Sequence, residues 1–157
     1  MRSCWLSLGI FALLTVRLSA QTTAFPVSNM ASQGLMIESL YQQYPKAITE
    51  QNEDVAVFAG SEDVCYTAYV KFITEFALYL KDQRFRWGRA TKCYNQIFFS
   101  VDGQVDYFIY EFPKGSISLE KQAEYQRLLN LFLHSFCFKV TGNQSFSLNG
   151  HITFKDL

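Results

Sequence analysis

The sequence predicts an α+β domain of two layers, in which helices pack on one face of a small antiparallel sheet. Three patterns support this prediction: a helical apolar pattern that starts at Ser61, a hairpin pattern from Arg89 to Phe112, and a second helical pattern that starts at Ser118. The predicted order of elements is therefore helix, strand, strand, helix, strand. The patterns leave the order of strands within the sheet open.

The first 20 residues look like a cleavable export signal. Arg2 supplies a positive start, residues 5–16 form an uncharged apolar run, and Ala20 is a small residue suited to cleavage. The run is shorter than the roughly 20 apolar residues that a membrane-spanning helix needs. We therefore predict an exported protein, periplasmic or secreted, with no transmembrane segment in the mature chain. The predicted parts are a signal peptide over 1–20, a flexible N-terminal arm over 21–34, and a single α+β domain over 35–157.

The composition is that of a globular protein with a large apolar core. Aromatic residues make up 17% of the 157 residues, with 15 Phe and 9 Tyr. Each such side chain buries a large area. The chain carries 14 basic and 14 acidic residues, and loss of Arg2 and Arg17 with the signal leaves the mature chain slightly acidic. We therefore expect no general affinity for nucleic acid.

The two helices are predicted from capping residues and apolar spacing. Ser61 can cap the first, which should end near Asp82, and Ser118 can cap the second. The buried stripe of each helix follows a period near 3.6 residues. In the first helix it comprises Cys65, Tyr69, Phe72, Phe76 and Leu80, and in the second Tyr125, Leu128, Leu129, Phe132 and Phe136.

The hairpin is predicted to turn through the three-residue loop 101–103. Gly103 then takes a left-handed conformation, which carries no steric penalty for a residue without Cβ. In this register Phe99 faces Val105, and the pairs that follow are Ile97 with Tyr107 and Asn95 with Ile109. One or two closing strands between residues 138 and 154 are expected to pair with the hairpin.

Three cysteines remain after the predicted cleavage: Cys65, Cys93 and Cys137. An odd number in an exported protein allows at most one internal disulfide, and the sequence does not select a pair. His134 and Cys137 could share a helix face, but two ligands do not make a metal site. We predict no metal and no cofactor.

The candidate binding residues form a basic and aromatic strip between the first helix and the hairpin: Arg84, Arg86, Trp87, Arg89, Lys92 and Tyr94. Arginine donates to anionic groups in pairs of hydrogen bonds and also stacks on aromatic rings. An anionic partner, such as a lipid headgroup, a glycan or an acidic protein surface, would therefore fit this strip. The alternative is an ordinary solvated loop whose basic residues favour the end of a helix.

Catalytic motifs are absent from the sequence. It has no Gly-rich phosphate loop, no His-Glu-x-x-His and no Gly-x-Ser-x-Gly. We name no catalytic residue and favour a non-enzymatic binding module over an enzyme. The alternative function is a small thiol-dependent hydrolase or redox enzyme that uses Cys93 or Cys137 with His134 or His151.

Residues 86–88, 91–99 and 102–112, followed by the Leu-Leu-Asn-Leu-Phe helix at 128–132, resemble a family of small exported Bacteroidetes proteins without an assigned activity. This resemblance covers about half of the chain and implies a source and a compartment. In element order and in the turn at 102–103, the chain is also distantly similar to the C-terminal domain of TonB-type energy transducers. That domain pairs strands with outer-membrane receptors. The present sequence differs by its helix before the hairpin, its cleavable signal and its lack of a Pro-rich spacer.

These observations together predict an exported binding or interaction module of the cell envelope with an unknown envelope or extracellular partner. Its contact surface would be either the strip from Arg84 to Tyr94 or an exposed sheet edge. A self-associating structural component is a third possibility.

Overall fold

A computed structural model describes residues 23–48 and 56–156. This part of the chain is an α+β fold with a mixed sheet, and the predicted signal peptide over 1–20 lies outside it. The strands are β1 (Thr23–Pro26), β2 (Thr91–Phe99), β3 (Val105–Glu111) and β4 (Phe146–Phe154). The helices are α1 (Ile37–Gln43), α2 (Glu62–Asp82) and α3 (Leu119–Ser135), and two 3-10 turns, Val27–Asn29 and Ala31–Gln33, follow β1.

The sheet has the strand order β1-β3-β2-β4. β2 runs antiparallel to both β3 and β4, whereas β1 runs parallel to β3. The sheet is therefore mixed, and the prediction of a purely antiparallel sheet was wrong. The predicted order of helix, strand, strand, helix, strand is present from α2 to β4, and β1 and α1 precede it.

β1 lies in the segment from 21 to 34 that we expected to be a flexible arm. Side-chain amides of α3 hold its backbone: the N–H of Ala24 donates to Asn130 Oδ1 at 2.9 Å, and Gln126 Nε2 donates to the carbonyl of Ala24 at 3.1 Å. Phe25 is buried against the sheet. These contacts come from residues about 100 positions away in sequence, so the local pattern of the arm gave no sign of the strand.

The main core lies between one face of the sheet and helices α2 and α3. Phe72 and Phe76 of α2 contact Phe132 of α3, with ring centroids 5.9 and 5.2 Å apart. Ile97 of β2 and Phe108 of β3 supply the sheet side of this core. The amphipathic helices therefore pack as their apolar stripes predicted.

A second, smaller core lies on the opposite face of the sheet. Leu40 of α1 and Met30 pack there on Phe98 of β2 and Ile109 of β3. Alternate residues of a strand point to opposite faces, so Phe98 and Ile109 point away from the main core. Their apolar side chains are buried only if a second layer of apolar residues packs on this face. The prediction that all helices lie on one face was therefore wrong, because α1 covers part of the other.

The hairpin turns where predicted, but its register changes after the first pair. Gly103 has φ 80°, and Phe99 pairs with Val105 as expected. A bulge then leaves Asp106 unpaired, so Phe98 faces Tyr107 and the predicted pairs beyond this point were wrong. The bulge directs the Asp106 carboxylate to the hydroxyl of Tyr44, which donates to it at 2.8 Å.

Gly103→Ala should lower the free energy of unfolding by about 2 to 4 kcal/mol, through left-handed strain and a steric clash. A Cβ at this position would stand 2.5 Å from the carbonyl oxygen of Phe138. Gly115→Ala is the matched control, because Gly115 has φ 73° but no atom within 4 Å of the added Cβ. We expect a loss of about 1 kcal/mol there. Urea denaturation measures both losses, and equal values would contradict the clash.

Candidate functional site

Trp87, the aromatic centre of the predicted binding strip, lies in the core. The residue is 5% exposed, and its ring stacks on Phe154 with centroids 4.7 Å apart and planes 8° apart. The carboxylate of Asp156 accepts the backbone N–H groups of Trp87 at 2.7 Å and Gly88 at 3.0 Å. These two bonds lower the pKa of Asp156. Trp87 therefore anchors the loop and offers no ring to a partner.

Arg89 connects two loops of the protein. Its guanidinium donates to the carbonyl oxygens of Gly115 at 2.9 Å and Ser116 at 2.6 Å. Lys121 similarly donates from Nζ to the carbonyl of Trp87 at 3.1 Å, across a groove of about 400 Å³. The cations of this groove therefore already bind backbone oxygens, whereas Arg84 and Arg86 are exposed to solvent.

Lys92 and Tyr94 lie apart from Trp87 and Arg89, on the face of the sheet that carries α1. They line a depression of about 630 Å³ together with Glu111, Pro113, His151 and Thr153. We call this surface the open sheet face. The predicted strip therefore divides between two places, and only its last two residues belong to the open sheet face.

Strand register places the side chains of the open sheet face next to one another. Lys92 pairs with Thr153, and Tyr94 pairs with both His151 and Glu111. Paired residues point to the same face. The rings of Tyr94 and His151 consequently lie 4.8 Å apart between centroids, with a tilt of 40°.

The open sheet face is bordered by α1, which covers only the half of the sheet nearer the hairpin turn. At the border, the hydroxyl of Tyr41 donates to Gln96 Oε1 at 2.9 Å and accepts from Asn149 Nδ2 at 3.3 Å. Burial raises the pKa of Tyr94, and the neighbouring Tyr41 raises it further. Tyr94 is therefore a neutral hydrogen-bonding group at physiological pH.

The open sheet face carries both signs of charge. Lys92 and Glu111 are exposed, and within residues 23–48 and 56–156 neither has an ion-pair partner. His151 and Thr153 add further hydrogen-bonding groups beside the phenol of Tyr94. The surface can thus bind donors, acceptors and planar groups of a partner.

Cys93 borders the same depression, but its side chain lies on the other face of the sheet. It pairs with Ile152 and is fully buried, so the adjacent His151 points away from it. Its Sγ donates to Asn95 Oδ1 at 3.2 Å, and burial raises the pKa of the thiol to about 12. Cys93 and His151 therefore do not form a nucleophile and base pair.

The thiols of Cys65 and Cys137 also have no histidine hydrogen-bonded to them among the described residues. Cys65 is buried, which raises its pKa to about 11. Cys137 Sγ lies 3.6 Å from the carbonyl oxygen of Asp102, and no hydrogen bond joins it to His134 in the described part of the chain. All three cysteines are free, so no disulfide joins any two of them. The described residues hold no group of three His, Cys, Asp or Glu side chains that could bind a metal ion.

The sequence did not identify Glu111, His151 and Thr153 as members of one surface. Glu111 ends β3 and the other two residues lie about 40 positions further along the chain, in β4. Only the register of β2 with both neighbours brings them together. The alternation of polar with apolar residues in β4 was the available signal, and it required knowledge of the partner strand.

Comparison of the chain with protein-family models, with curated proteins and with solved structures finds no match. The helices within the described ranges are too short or too polar to cross a membrane. The resemblance to exported Bacteroidetes proteins and the distant likeness to the TonB domain therefore stay predictions.

Iodoacetamide at pH 8 should label Cys65 and Cys93 at least about tenfold more slowly than the partly exposed Cys137, because only the thiolate reacts and burial disfavours it. Mass spectrometry of tryptic peptides measures each rate. Labelling in guanidinium chloride is the control and should equalise the rates. Fast labelling of Cys93 that His151→Ala slows would contradict the assignment of these residues to opposite faces.

Proposed function

We propose that this chain is an exported, non-enzymatic binding protein of the cell envelope or the extracellular space, and that it contacts its partner through the open sheet face. The observation that carries this proposal is the concentration of exposed polar and aromatic side chains in one depression on the sheet. Lys92, Tyr94, Glu111 and His151 all belong to strands that pair directly. Exposed groups on a rigid support are suited to recognition.

The support beneath the open sheet face favours binding with little reorganisation. On the opposite side of the same strands, Phe154 stacks on Trp87, and Cys93 and Ile97 are fully buried. Side chains anchored on packed strands lose less conformational entropy when a partner binds. This arrangement supports a preformed surface.

The charges of the open sheet face favour a partner of mixed polarity. Lys92 alone would suit the anionic partner that the sequence suggested, but Glu111 lies on the strand beside Tyr94 and would repel a purely anionic ligand. A protein or peptide segment that offers both donors and acceptors satisfies both charges. We therefore favour a polypeptide partner over a lipid headgroup or a nucleic acid.

The surroundings of the described thiols support binding over catalysis. Within the described ranges, the cysteine nearest to the open sheet face directs its thiol to the core, and neither Cys93 nor Cys137 forms a hydrogen bond with a histidine. General base and nucleophile pairs need such a contact. The alternative thiol enzyme therefore has no geometric support.

Export predicts that the mature chain starts at Gln21, because Ala20 is the small residue at the end of the apolar run. Intact-mass measurement and N-terminal sequencing of the protein recovered from the producing cells test this. Ala20→Leu is the control and should leave uncleaved precursor in the membrane fraction. A mature protein that retains Met1 would contradict export by this route.

A photo-crosslinking amino acid at Thr153, on the open sheet face, should form a covalent adduct with the partner in the producing cells. The same group at Leu131, which is 48% exposed on α3, is the control and should form none. Denaturing electrophoresis and mass spectrometry detect the adducts. No adduct at position 153, or equal adducts at both positions, would contradict the proposed contact surface.

A further inference from the structure

The sheet has two edges, and only one of them is protected against further pairing. β1 has four residues and ends at Pro26, and short strands and proline both limit edge pairing. β4 has nine residues, Phe146–Phe154, with no proline and no Asp, Glu, Lys or Arg among them. β4 is therefore the edge that can accept another strand.

Among residues 23–48 and 56–156, only the segment around Lys46 bonds to the backbone of the β4 edge, and it does so at Ser147. The N–H of Ser147 donates to the carbonyl of Pro45, and the N–H of Ala47 donates to the carbonyl of Ser147, both at 2.8 Å. Backbone groups of alternate residues point to the same side of a strand. Asn149, His151 and Thr153 consequently direct their N–H and C=O groups outward, and no backbone group of the described residues bonds to them there.

An exposed apolar stripe of α2 runs beside this edge. It consists of the exposed Tyr66 and Val70 and the half-buried Ile73 and Ala77, spaced by four, three and four residues. Tyr66 is 61% exposed and Val70 is 45% exposed. The spacing puts these side chains on one face of the helix, next to its core stripe.

Contacts of α2 show that the stripe lies on the β4 side of the helix. Tyr69 Oη lies 3.3 Å from the position that a Cβ would take at Gly150 of β4. Ala77 lines a small cavity together with Lys155 and Asp156, which directly follow β4. The contact with α3 is made on the other side of the core stripe, where Tyr79 meets Phe132 at 5.5 Å. We call the space between the outward backbone of 149–153 and this stripe the β4–α2 slot.

We infer that the β4–α2 slot binds an extended peptide segment of a partner protein by strand addition to β4. The inference rests on the proposed function and specifies the class of partner. Main-chain hydrogen bonds from Asn149, His151 and Thr153 give affinity, and every second side chain of the peptide packs on the α2 stripe. The intervening side chains point to the face that carries His151 and Thr153, the face to which Lys92 and Glu111 also belong. The segment therefore alternates apolar residues with polar or charged ones.

Selection of a displayed library of random ten-residue peptides on the full chain tests the inference. We expect enriched sequences with apolar residues at every second position.

Val70→Glu should weaken binding of the best peptide at least about tenfold, because a charge would then face apolar side chains. Leu78→Glu is the matched control: Leu78 is 47% exposed on α2, away from the stripe, and its change should leave affinity within about twofold. Circular dichroism checks that both variants fold.

Amide hydrogen exchange gives a second readout that is specific to strand addition. The peptide should protect the N–H groups of Asn149, His151 and Thr153, and N-methylation of alternate peptide bonds should abolish binding. Unchanged exchange at these three amides, or failure to select any alternating sequence, would overturn the inference.

The two proposals fail in different ways. If Lys92→Glu lowers the yield of the adduct formed by the crosslinker at Thr153 while Val70→Glu leaves that yield unchanged, strand addition is overturned and the proposed function stands. If light scattering shows a dimer that Val70→Glu dissociates, the slot binds a second copy of this chain, and the inference of a separate partner is overturned.

Discussion

The packing around the ring of Tyr125 is the contact on which the rest of the structure depends. This fully buried residue of α3 meets Phe76 of α2 at 5.6 Å, Tyr110 of β3 at 5.1 Å, and Trp87 at 5.7 Å. It also contacts Phe154 at the end of β4. Both long helices, the sheet and the loop before β2 therefore share one aromatic cluster, whose edge-to-face contacts favour a single arrangement. The hydrogen bond from the backbone N–H of Trp87 to the Asp156 carboxylate fixes the loop next to the same cluster, at the protein surface.

The position of the candidate site follows from an incomplete cover over the second face of the sheet. Helices α2 and α3 cover the first face, whereas α1 has only seven residues and covers the half around Phe98 and Ile109. The uncovered half carries polar residues at the positions where the covered half carries apolar ones. Among the described residues, Lys92, Tyr94 and His151 thus remain at the surface because α1 does not extend over them. The same strand that borders this face, β4, is also the unprotected edge, so the two proposed contact surfaces adjoin.

Local patterns predicted the elements whose stability comes from nearby residues. The cap at Ser118, the left-handed Gly103 and most of both apolar stripes agree with the structure. Tyr69 is only half-buried, however, and Phe136 lies just beyond the end of α3. Ser61 stands at the start of α2 but makes no side-chain capping bond. The pairs beyond Phe99 were missed because a bulge at Asp106 shifts the register, and the hydrogen-bond partner of Asp106, Tyr44, lies far away in sequence. The strand β1 and the cover by α1 were missed for the same reason, since each is held by residues of other elements.

The sequence by itself determined the α+β class, the two long helices, the hairpin turn and the aromatic content of the core, because periodicity and turn chemistry act over a few residues. Tertiary structure alone decided which exposed residues lie next to one another. In the folded chain, Trp87 is buried, Arg89 donates hydrogen bonds to backbone carbonyls, and Cys93 and His151 lie on opposite faces of the sheet. The physical reason is that strand pairing and the side of a strand on which a residue lies are properties of two chain segments, and a single segment does not contain them.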